Sequence, residues 1–246
     1  MKTFHLAVAA ILPLALAACG DKAPESAATP TATTAVATTP QGKDWTKVMV
    51  ATPEGGFRIG NPDAKVKLLE FASLTCPHCR EFHEAAMPTI RDKYVASGNV
   101  SYEFRNFVLN GPDFAASMLA RCRGAEPFFG LLTAFMDDQA AWTEPFTKLS
   151  ADENKRLSAL PEDQQVAALA QLGKLDEYVR ARGMPRAKFD QCLADKTQLD
   201  ALTKLRSDAT GKYKLTGTPG FIINEVTQEG VYDWAGLEPK LKAALL

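Results

Sequence analysis

Two kinds of hydrophobic periodicity run through most of the chain. Residues 66–72 form a mostly apolar run between turn-forming segments, which predicts a buried strand. Residues 100–108 alternate and are rich in Val, Tyr and Phe, so they predict a second strand of the same sheet. Two shorter strands are predicted near residues 221–224 and 230–234, and a helix over 238–246 ends the chain.

Between the second and third predicted strands the apolar positions recur with helical spacing almost throughout. Gly111-Pro112-Asp113 breaks the strand pattern at the start of this stretch. The helical segments cover residues 115–122, 128–136, 164–172, 175–182, 185–193 and 197–210. The pattern therefore predicts an α/β protein in which residues 44–111 and 215–246 form a sheet domain, interrupted by an all-helical insertion over 112–214.

The N-terminal 18 residues are predicted to be an export signal. Lys2 supplies a positive start, and the apolar run from Leu6 to Ala18 fits a signal core of roughly 7–15 residues. Leu16-Ala17-Ala18-Cys19 resembles the cleavage box of bacterial lipoproteins, which implies that Cys19 becomes the lipidated first residue. The alternative is an ordinary cleavable signal followed by an incidental cysteine.

Residues 19–43 have the composition of a tether. Ala, Thr and Pro dominate this segment, and apolar residues large enough to build a core are almost absent. We therefore expect a disordered, lipid-anchored linker, with the folded part beginning near Asp44.

Composition excludes several classes of protein. Of the 246 residues, 46% are hydrophobic, which is enough to build a core. Lys plus Arg number 28 and Asp plus Glu number 29, so no basic excess indicates a nucleic-acid partner. The five cysteines cannot all pair with one another, and each therefore needs its own explanation.

The candidate chemistry lies at Cys76-Pro77-His78-Cys79, where the first strand passes into a helix over residues 80–96. Pro77 suits the first helical turn because its missing N–H would have no partner there. Cys76 then stands at the helix N-terminus, where unpaired N–H groups and the helix dipole lower the pKa of a thiol. Cys79, one turn into the helix, should be more buried, so the spacing predicts one reachable sulfur and one protected sulfur.

A Cys-x-x-Cys motif also occurs in three other kinds of site. A c-type haem site needs His after the second cysteine, where this chain has Arg80. Zinc needs four ligands, and His78 and His83 do not complete a set with the two cysteines. A purely structural disulfide between Cys76 and Cys79 remains as an alternative. His83 is expected to be a surface or packing residue.

The segment from Leu68 to Cys79 resembles the active-site region of the DsbA-like thiol oxidoreductases, which have a thioredoxin fold. Far downstream, Thr216 to Asn224 resembles the cis-proline loop of that family and the strand after it. The resemblance implies a thioredoxin-like sheet domain interrupted by a helical insertion. It also implies that Cys76 attacks and is attacked, while Cys79 resolves the mixed disulfide.

The same resemblance implies roles for four more residues. His78 would stabilise the Cys76 thiolate, Pro219 would be cis beside the sulfurs, and Thr218 would pair with an extended substrate segment. Glu70 would accept the proton of the buried Cys79. The alternatives are a merely solvated His78 and a Glu70 that faces solvent at the strand edge.

Cys122 and Cys192 both lie on predicted helices of the insertion. Similar segments in some DsbA-like branches imply a structural disulfide that closes a loop of about 70 residues. Two buried free thiols are the alternative.

The function implied by the resemblance is a dithiol oxidase that introduces disulfides into exported proteins with free thiols. We expect it to be monomeric, to face the periplasm from a membrane, to use no cofactor or metal, and to depend on a membrane redox partner such as a quinone-linked reoxidase. One alternative is a disulfide isomerase or reductase of the same fold, which Thr218 favours and which would need an electron donor. Another is a non-enzymatic, chaperone-like lipoprotein.

Overall fold

The computed structural model describes residues 42–246, apart from the side chains of residues 162 and 163. The predicted signal, Cys19 and nearly all of the predicted linker lie outside the described residues. Within the described part of the chain, no helix is both long enough and apolar enough to cross a membrane.

A six-stranded mixed sheet lies at the centre of the protein. Its strands are β1 (Met49–Ala51), β2 (Phe57–Gly60), β3 (Val66–Ala72), β4 (Val100–Asn106), β5 (Gly220–Ile223) and β6 (Val226–Thr227). They are ordered β1-β2-β4-β3-β5-β6 across the sheet. The pair β3 and β4 is parallel, with Leu68 opposite Tyr102, and the other four pairs are antiparallel.

In the described part of the chain, ten α-helices surround this sheet. They are α1 (Pro77–Thr89), α2 (Gly111–Arg121), α3 (Ala125–Asp137), α4 (Gln139–Thr147), α5 (Ala151–Ser158), α6 (Glu162–Leu172), α7 (Leu175–Arg180), α8 (Arg186–Leu193), α9 (Lys196–Gly211) and α10 (Trp234–Leu245). A short π-helical segment, Ile90–Val95, continues α1. Helices α2 to α9 therefore fill the stretch between β4 and β5, and the α/β architecture with a helical insertion is confirmed.

The predicted strand over residues 230–234 is wrong. Gly230 has a positive φ of 72°, a conformation that breaks an extended run. The Asp233 side chain accepts a hydrogen bond from the Gly236 N–H at 2.8 Å and so caps α10, which begins four residues before the predicted start of that helix. On the side of β5 away from β3, the pairing strand is instead the two-residue β6.

Strand β3 is the central strand that leads to the candidate motif. Six of its seven residues are buried, because β4 and β5 flank it and helices cover both faces. Alternation along the strand sends Leu68 and Ala72 into the main hydrophobic core, with α1 and α10. Leu69 and Phe71 belong to a second, smaller cluster with Ala209 of α9.

Helix α2 attaches the insertion to the sheet. It packs against α3, α6, α8 and α9. The buried Arg121 at its end donates hydrogen bonds to the Asn106 side chain at 2.9 Å and to the Gly55 carbonyl at 2.8 Å. The start of α2 lies beside the loop that follows β3, and its polar contacts reach the residues that precede Cys76.

Candidate active site

Cys76 caps the N-terminus of α1. Its backbone is extended, with φ −82° and ψ 119°, and Pro77 occupies the first helical turn. The Cys76 sulfur accepts the backbone N–H of Cys79 at 3.4 Å, the bond that a capping side chain makes in the first turn. The strand-to-helix junction therefore places this sulfur among the unpaired N–H groups of the helix.

These surroundings lower the pKa of Cys76 to about 5. The largest contribution is a hydrogen bond with the Cys79 side chain, and the backbone N–H groups of Cys79 and His78 add to it. Burial acts in the opposite direction because it disfavours the thiolate. Cys76 is consequently a thiolate at neutral pH, which makes it a good nucleophile and a good leaving group.

Cys79 differs sharply from Cys76 although only two residues separate them. Both are free thiols, but Cys79 is fully buried, whereas Cys76 is 6% exposed. Burial, followed by the neighbouring Cys76, raises the pKa of the Cys79 thiol well above its ordinary value. The structure thus contains one sulfur that is ionised and slightly exposed, and one that is protonated and fully buried.

Glu70 lies beneath the two cysteines on β3 and is only 2% exposed. It does not face solvent at the strand edge, because β3 is a central strand. Burial raises the pKa of Glu70 to about 8, and a hydrogen bond that Tyr102 donates at 2.5 Å partly offsets that rise. Charge on Glu70 in turn contributes to the raised pKa of Cys79. A carboxyl group that can exchange protons near neutral pH therefore acts on the protected sulfur.

Tyr102 is a site residue that the sequence analysis missed. It lies on β4, is fully buried, and is joined to Glu70 across 32 residues of sequence. The alternating pattern of β4 predicts that its side chain is buried. The pairing of β3 with β4 is needed to bring it to Glu70.

The His78 ring does not contact the Cys76 sulfur. Its side chain is 76% exposed, and its Nδ1 lies 3.2 Å from a carboxylate oxygen of Glu81, one turn along α1. The contribution of His78 to the pKa of Cys76 comes from its backbone N–H.

Thr218 and Pro219 face the active-site turn from the start of β5. The peptide bond between them is cis. The Cys76 sulfur lies 3.4 Å from the Thr218 carbonyl oxygen, a contact that joins residues 142 positions apart. The structure therefore brings together Cys76, Cys79, Glu70, Thr218 and Pro219.

An apolar groove of about 800 Å³ lies next to the active-site turn and includes His78 and Thr218 in its lining. Its walls include His78, Phe82, Thr218, Tyr232 and Trp234. Tyr232 is 55% exposed, an uncommon state for a large aromatic side chain. The groove gives the site a surface that could hold apolar side chains of a polypeptide.

Cys122 and Cys192 form a disulfide remote from this site. Their sulfurs are 1.98 Å apart and their Cα atoms 5.5 Å apart. The bond ties the end of α2 to α8 within the helical insertion.

His83 is a packing residue with 7% exposure, and burial lowers its pKa. Within residues 42–246 the structure contains no group of three or more His, Cys, Asp or Glu side chains placed to hold a metal ion.

Comparison with known proteins points to a single group. Residues 52–243 match the family described as Thioredoxin. A protein of Rickettsia bellii that carries the name "Putative protein-disulfide oxidoreductase" is 29% identical over 184 residues, which are 74% of this chain and 62% of that protein. The chain thus spans about three fifths of the length of this curated relative.

The match to two solved structures covers a larger share of those proteins. The protein-disulfide isomerase from Novosphingobium aromaticivorans is 33% identical, with a TM-score of 0.75 over 77% of this chain and 97% of that one. The α-DsbA1 protein of Wolbachia pipientis is 26% identical, with a TM-score of 0.61 over 76% of this chain and 89% of that one.

Proposed function

The chain belongs to the thioredoxin family, among its DsbA-like thiol:disulfide oxidoreductases, and on that premise we propose that it oxidises dithiols of exported proteins through Cys76 and Cys79. The observation that carries the proposal is the opposite ionisation of the two sulfurs. A stabilised Cys76 thiolate favours the reduced form of the cysteine pair, so the disulfide form readily oxidises a substrate dithiol.

The proposed reaction begins with the Cys76–Cys79 disulfide. A substrate thiolate attacks the Cys76 sulfur, the bond between the two cysteines breaks, and Cys79 leaves with the electron pair and takes up a proton. The second substrate thiolate then attacks the substrate sulfur of the mixed disulfide and releases the Cys76 thiolate. The substrate dithiol is oxidised to a disulfide, and the enzyme disulfide is reduced to a dithiol.

Glu70 is proposed to carry the proton that Cys79 gains and loses. Its pKa of about 8 lets it hold or release a proton near neutral pH. During reoxidation of the enzyme, Cys79 must lose its proton before it can attack, and Glu70 is the buried base beneath it. Thr218 would pair its backbone with an extended substrate segment, as in strand addition.

Single-turnover oxidation of a peptide with two cysteines tests the proposal. Oxidised wild-type protein should convert the peptide to its disulfide and release one equivalent of reduced enzyme. Cys76→Ser should abolish the reaction. Cys79→Ser has no disulfide at this site and should also fail to oxidise the dithiol peptide, but its Cys76 thiolate should attack the disulfide form of the peptide and form a mixed disulfide with it, while the other peptide sulfur leaves as a thiolate. Ser158→Ala, on exposed helix α5, is the control and should react as wild type does. Full activity in Cys76→Ser would refute the mechanism.

Isomerase or reductase activity is the second candidate. In that case the reduced Cys76 thiolate attacks a disulfide of the substrate. Thr218 before the cis proline and the similarity to a protein titled a protein-disulfide isomerase support this candidate. Equilibration with glutathione separates the two candidates, since a strongly oxidising potential indicates the oxidase and a potential near that of thioredoxin indicates the reductase.

We also propose that the protein is exported and anchored through a lipid on Cys19, because Leu16-Ala17-Ala18-Cys19 follows an apolar signal core. A membrane redox partner would then meet the enzyme at one surface. Expression of full-length protein should give a membrane fraction that contains it and a lipid-modified N-terminal peptide. The Cys19→Ser variant should lose both.

A further inference from the structure

Gln139 holds the backbone of the active-site turn from outside the sheet domain. It is the first residue of α4 and is 5% exposed. Its side-chain amide donates hydrogen bonds to the Leu74 carbonyl at 2.8 Å and to the Cys76 carbonyl at 3.0 Å. One amide group of the helical insertion thus binds the reactive cysteine and the residue two positions before it.

Asp113 holds the same turn from α2. It is fully buried, and its carboxylate accepts the Ser73 hydroxyl at 2.5 Å and the Leu74 backbone N–H at 3.1 Å. It also accepts the backbone N–H of Leu109 at 3.0 Å and the hydroxyl of Ser117 at 3.2 Å. The Leu74 peptide is therefore fixed on its N–H side by α2 and on its carbonyl side by α4.

The turn does not need these contacts to close. The Cys76 N–H already donates to the Ser73 carbonyl at 3.3 Å, and the Cys76 carbonyl already accepts the Arg80 N–H at 3.2 Å. The contacts from the insertion instead determine where the closed turn lies. They act on the residue that caps α1, so they influence how its sulfur faces the helix N–H groups.

The Gln139 amide also affects the charge around the sulfur. It places the positive end of its N–H dipole against the carbonyl of Cys76. A donor in that position offsets the partial negative charge of the carbonyl oxygen and so favours negative charge nearby. The placement of the turn and the dipole of the Gln139 amide therefore both favour the Cys76 thiolate.

We propose that Gln139 and Asp113 are positioning residues through which the helical insertion controls the ionisation and reactivity of Cys76. The proposal deepens the proposed function of the same site. It assigns to the insertion a part in the chemistry, although neither side chain contacts the reacting sulfur. Loss of either one should leave the Cys76 thiolate less stable.

Titration of the Cys76 thiolate by ultraviolet absorbance, together with its alkylation rate by iodoacetamide near pH 5, tests the proposal on the reduced protein. Gln139→Met keeps a side chain of similar length but removes the donor. Asp113→Asn keeps the shape but replaces one of the two acceptor oxygens with an NH2 donor, so the contacts to the Ser73 hydroxyl and the Leu74 N–H cannot both remain. Trp142→Phe is the matched control, because it removes a buried hydrogen bond of 2.8 Å from α4 to the Phe135 carbonyl and leaves the turn untouched.

Near pH 5, Gln139→Met and Asp113→Asn should each alkylate about twofold more slowly than wild type, which corresponds to a rise of about half a unit in the pKa of Cys76 from about 5. Trp142→Phe should match wild type in both measurements even if its melting temperature falls. Should one variant fail to fold, the other decides the outcome. Wild-type titration in a folded, destabilised Gln139→Met or Asp113→Asn protein would show a merely structural role and overturn the proposal. These readouts involve no substrate protein, so the proposed oxidase function can fail while this inference holds.

Discussion

At the scale of single residues, the chemistry of the site depends on the contrast between two neighbouring cysteines. Both belong to the same helical turn, so sequence distance cannot explain their different ionisation. Their pKa values differ because Cys76 caps the helix and its thiolate accepts hydrogen bonds. Cys79 is fully buried, and its hydrogen bonds do not offset the cost of burying a charge. One sulfur is thereby prepared to attack and leave, and the other to remain protonated.

Removal of the Cys79 thiol should weaken the Cys76 thiolate. The side chain of Cys79 makes the largest contribution to the lowered pKa of Cys76, so Cys79→Ala should raise that pKa from about 5 by roughly one unit. Ultraviolet titration of the reduced variant measures the midpoint. Cys76→Ser, which has no such thiolate, provides the baseline. An unchanged midpoint in Cys79→Ala would show that the helix N-terminus alone accounts for the shift.

The hydroxyl group of Tyr102 should lower the pKa of Glu70. The phenol donates to the carboxylate and so favours its charged form, which means that Tyr102→Phe should raise the pKa of Glu70 above about 8. Carbon-13 NMR of the Glu70 carboxyl group, assigned with Glu70→Gln, measures the shift. Phe104→Leu, on the same strand, controls for changes in packing alone. A lower pKa in Tyr102→Phe would contradict the assigned direction of the hydrogen bond.

At the scale of secondary-structure elements, the sequence predicts what depends on local pattern. The strands β3 and β4 are confirmed because each combines apolar periodicity with flanking turn residues. The four-residue β2 was not predicted, because only Phe57 and Ile59 in it are large apolar residues, whereas the equally short β5 contains the continuous apolar run Phe221-Ile222-Ile223. The strand over residues 230–234 was wrong because a helix cap and a positive φ override its apolar residues.

The candidate site divides in the same way. The cysteine motif could be predicted because strand, proline and helix are adjacent in sequence. Gln139 reaches Cys76 across 63 residues, and Asp113 reaches Ser73 across 40. No local sequence pattern predicts these contacts, because they form only once α2 and α4 have packed on the sheet domain.

The disulfide between α2 and α8 should stabilise the insertion without affecting the chemistry. It closes a span of 70 residues, so the double variant Cys122→Ser and Cys192→Ser should lose about 4 kcal/mol of unfolding free energy in the loop-entropy view. Urea unfolding measures the loss, and its matched control is an unfolding curve of wild type in reductant. The Cys76 thiolate should titrate as before in the double variant. A shifted midpoint would instead couple this disulfide to the active site.

At the scale of the whole molecule, sheet and insertion meet at the active-site turn. The sheet supplies Glu70, Tyr102 and Thr218, α1 supplies the sulfurs, and the insertion supplies the contacts to the backbone before Cys76. The buried acids beneath and beside the turn carry raised pKa values, about 8 for Glu70 and about 6 for Asp113. Folding therefore favours the charged form of Cys76 and the protonated forms of Glu70 and Asp113, and these preferences have opposite effects on stability as pH rises.

The Cys76 thiolate should make its own contribution to the pH dependence of stability. Its folded-state pKa of about 5 lies below the ordinary thiol value, so the unfolded chain binds more protons between about pH 5 and 9 and reduced wild-type protein gains stability as pH rises through that window. Cys76→Ser lacks this contribution. The opposing effect of Glu70 and Asp113 is largely retained in both proteins, because burial is the main cause of their raised pKa values and the charge of Cys76 is only a smaller cause for Glu70. The unfolding free energy of wild type should therefore exceed that of Cys76→Ser increasingly from pH 5 upward, and the gap should close as pH falls through about 5. Urea unfolding of both proteins in the same reductant, which keeps Cys122 and Cys192 in the same state in each, measures the gap. Parallel curves would show that folding does not stabilise the thiolate.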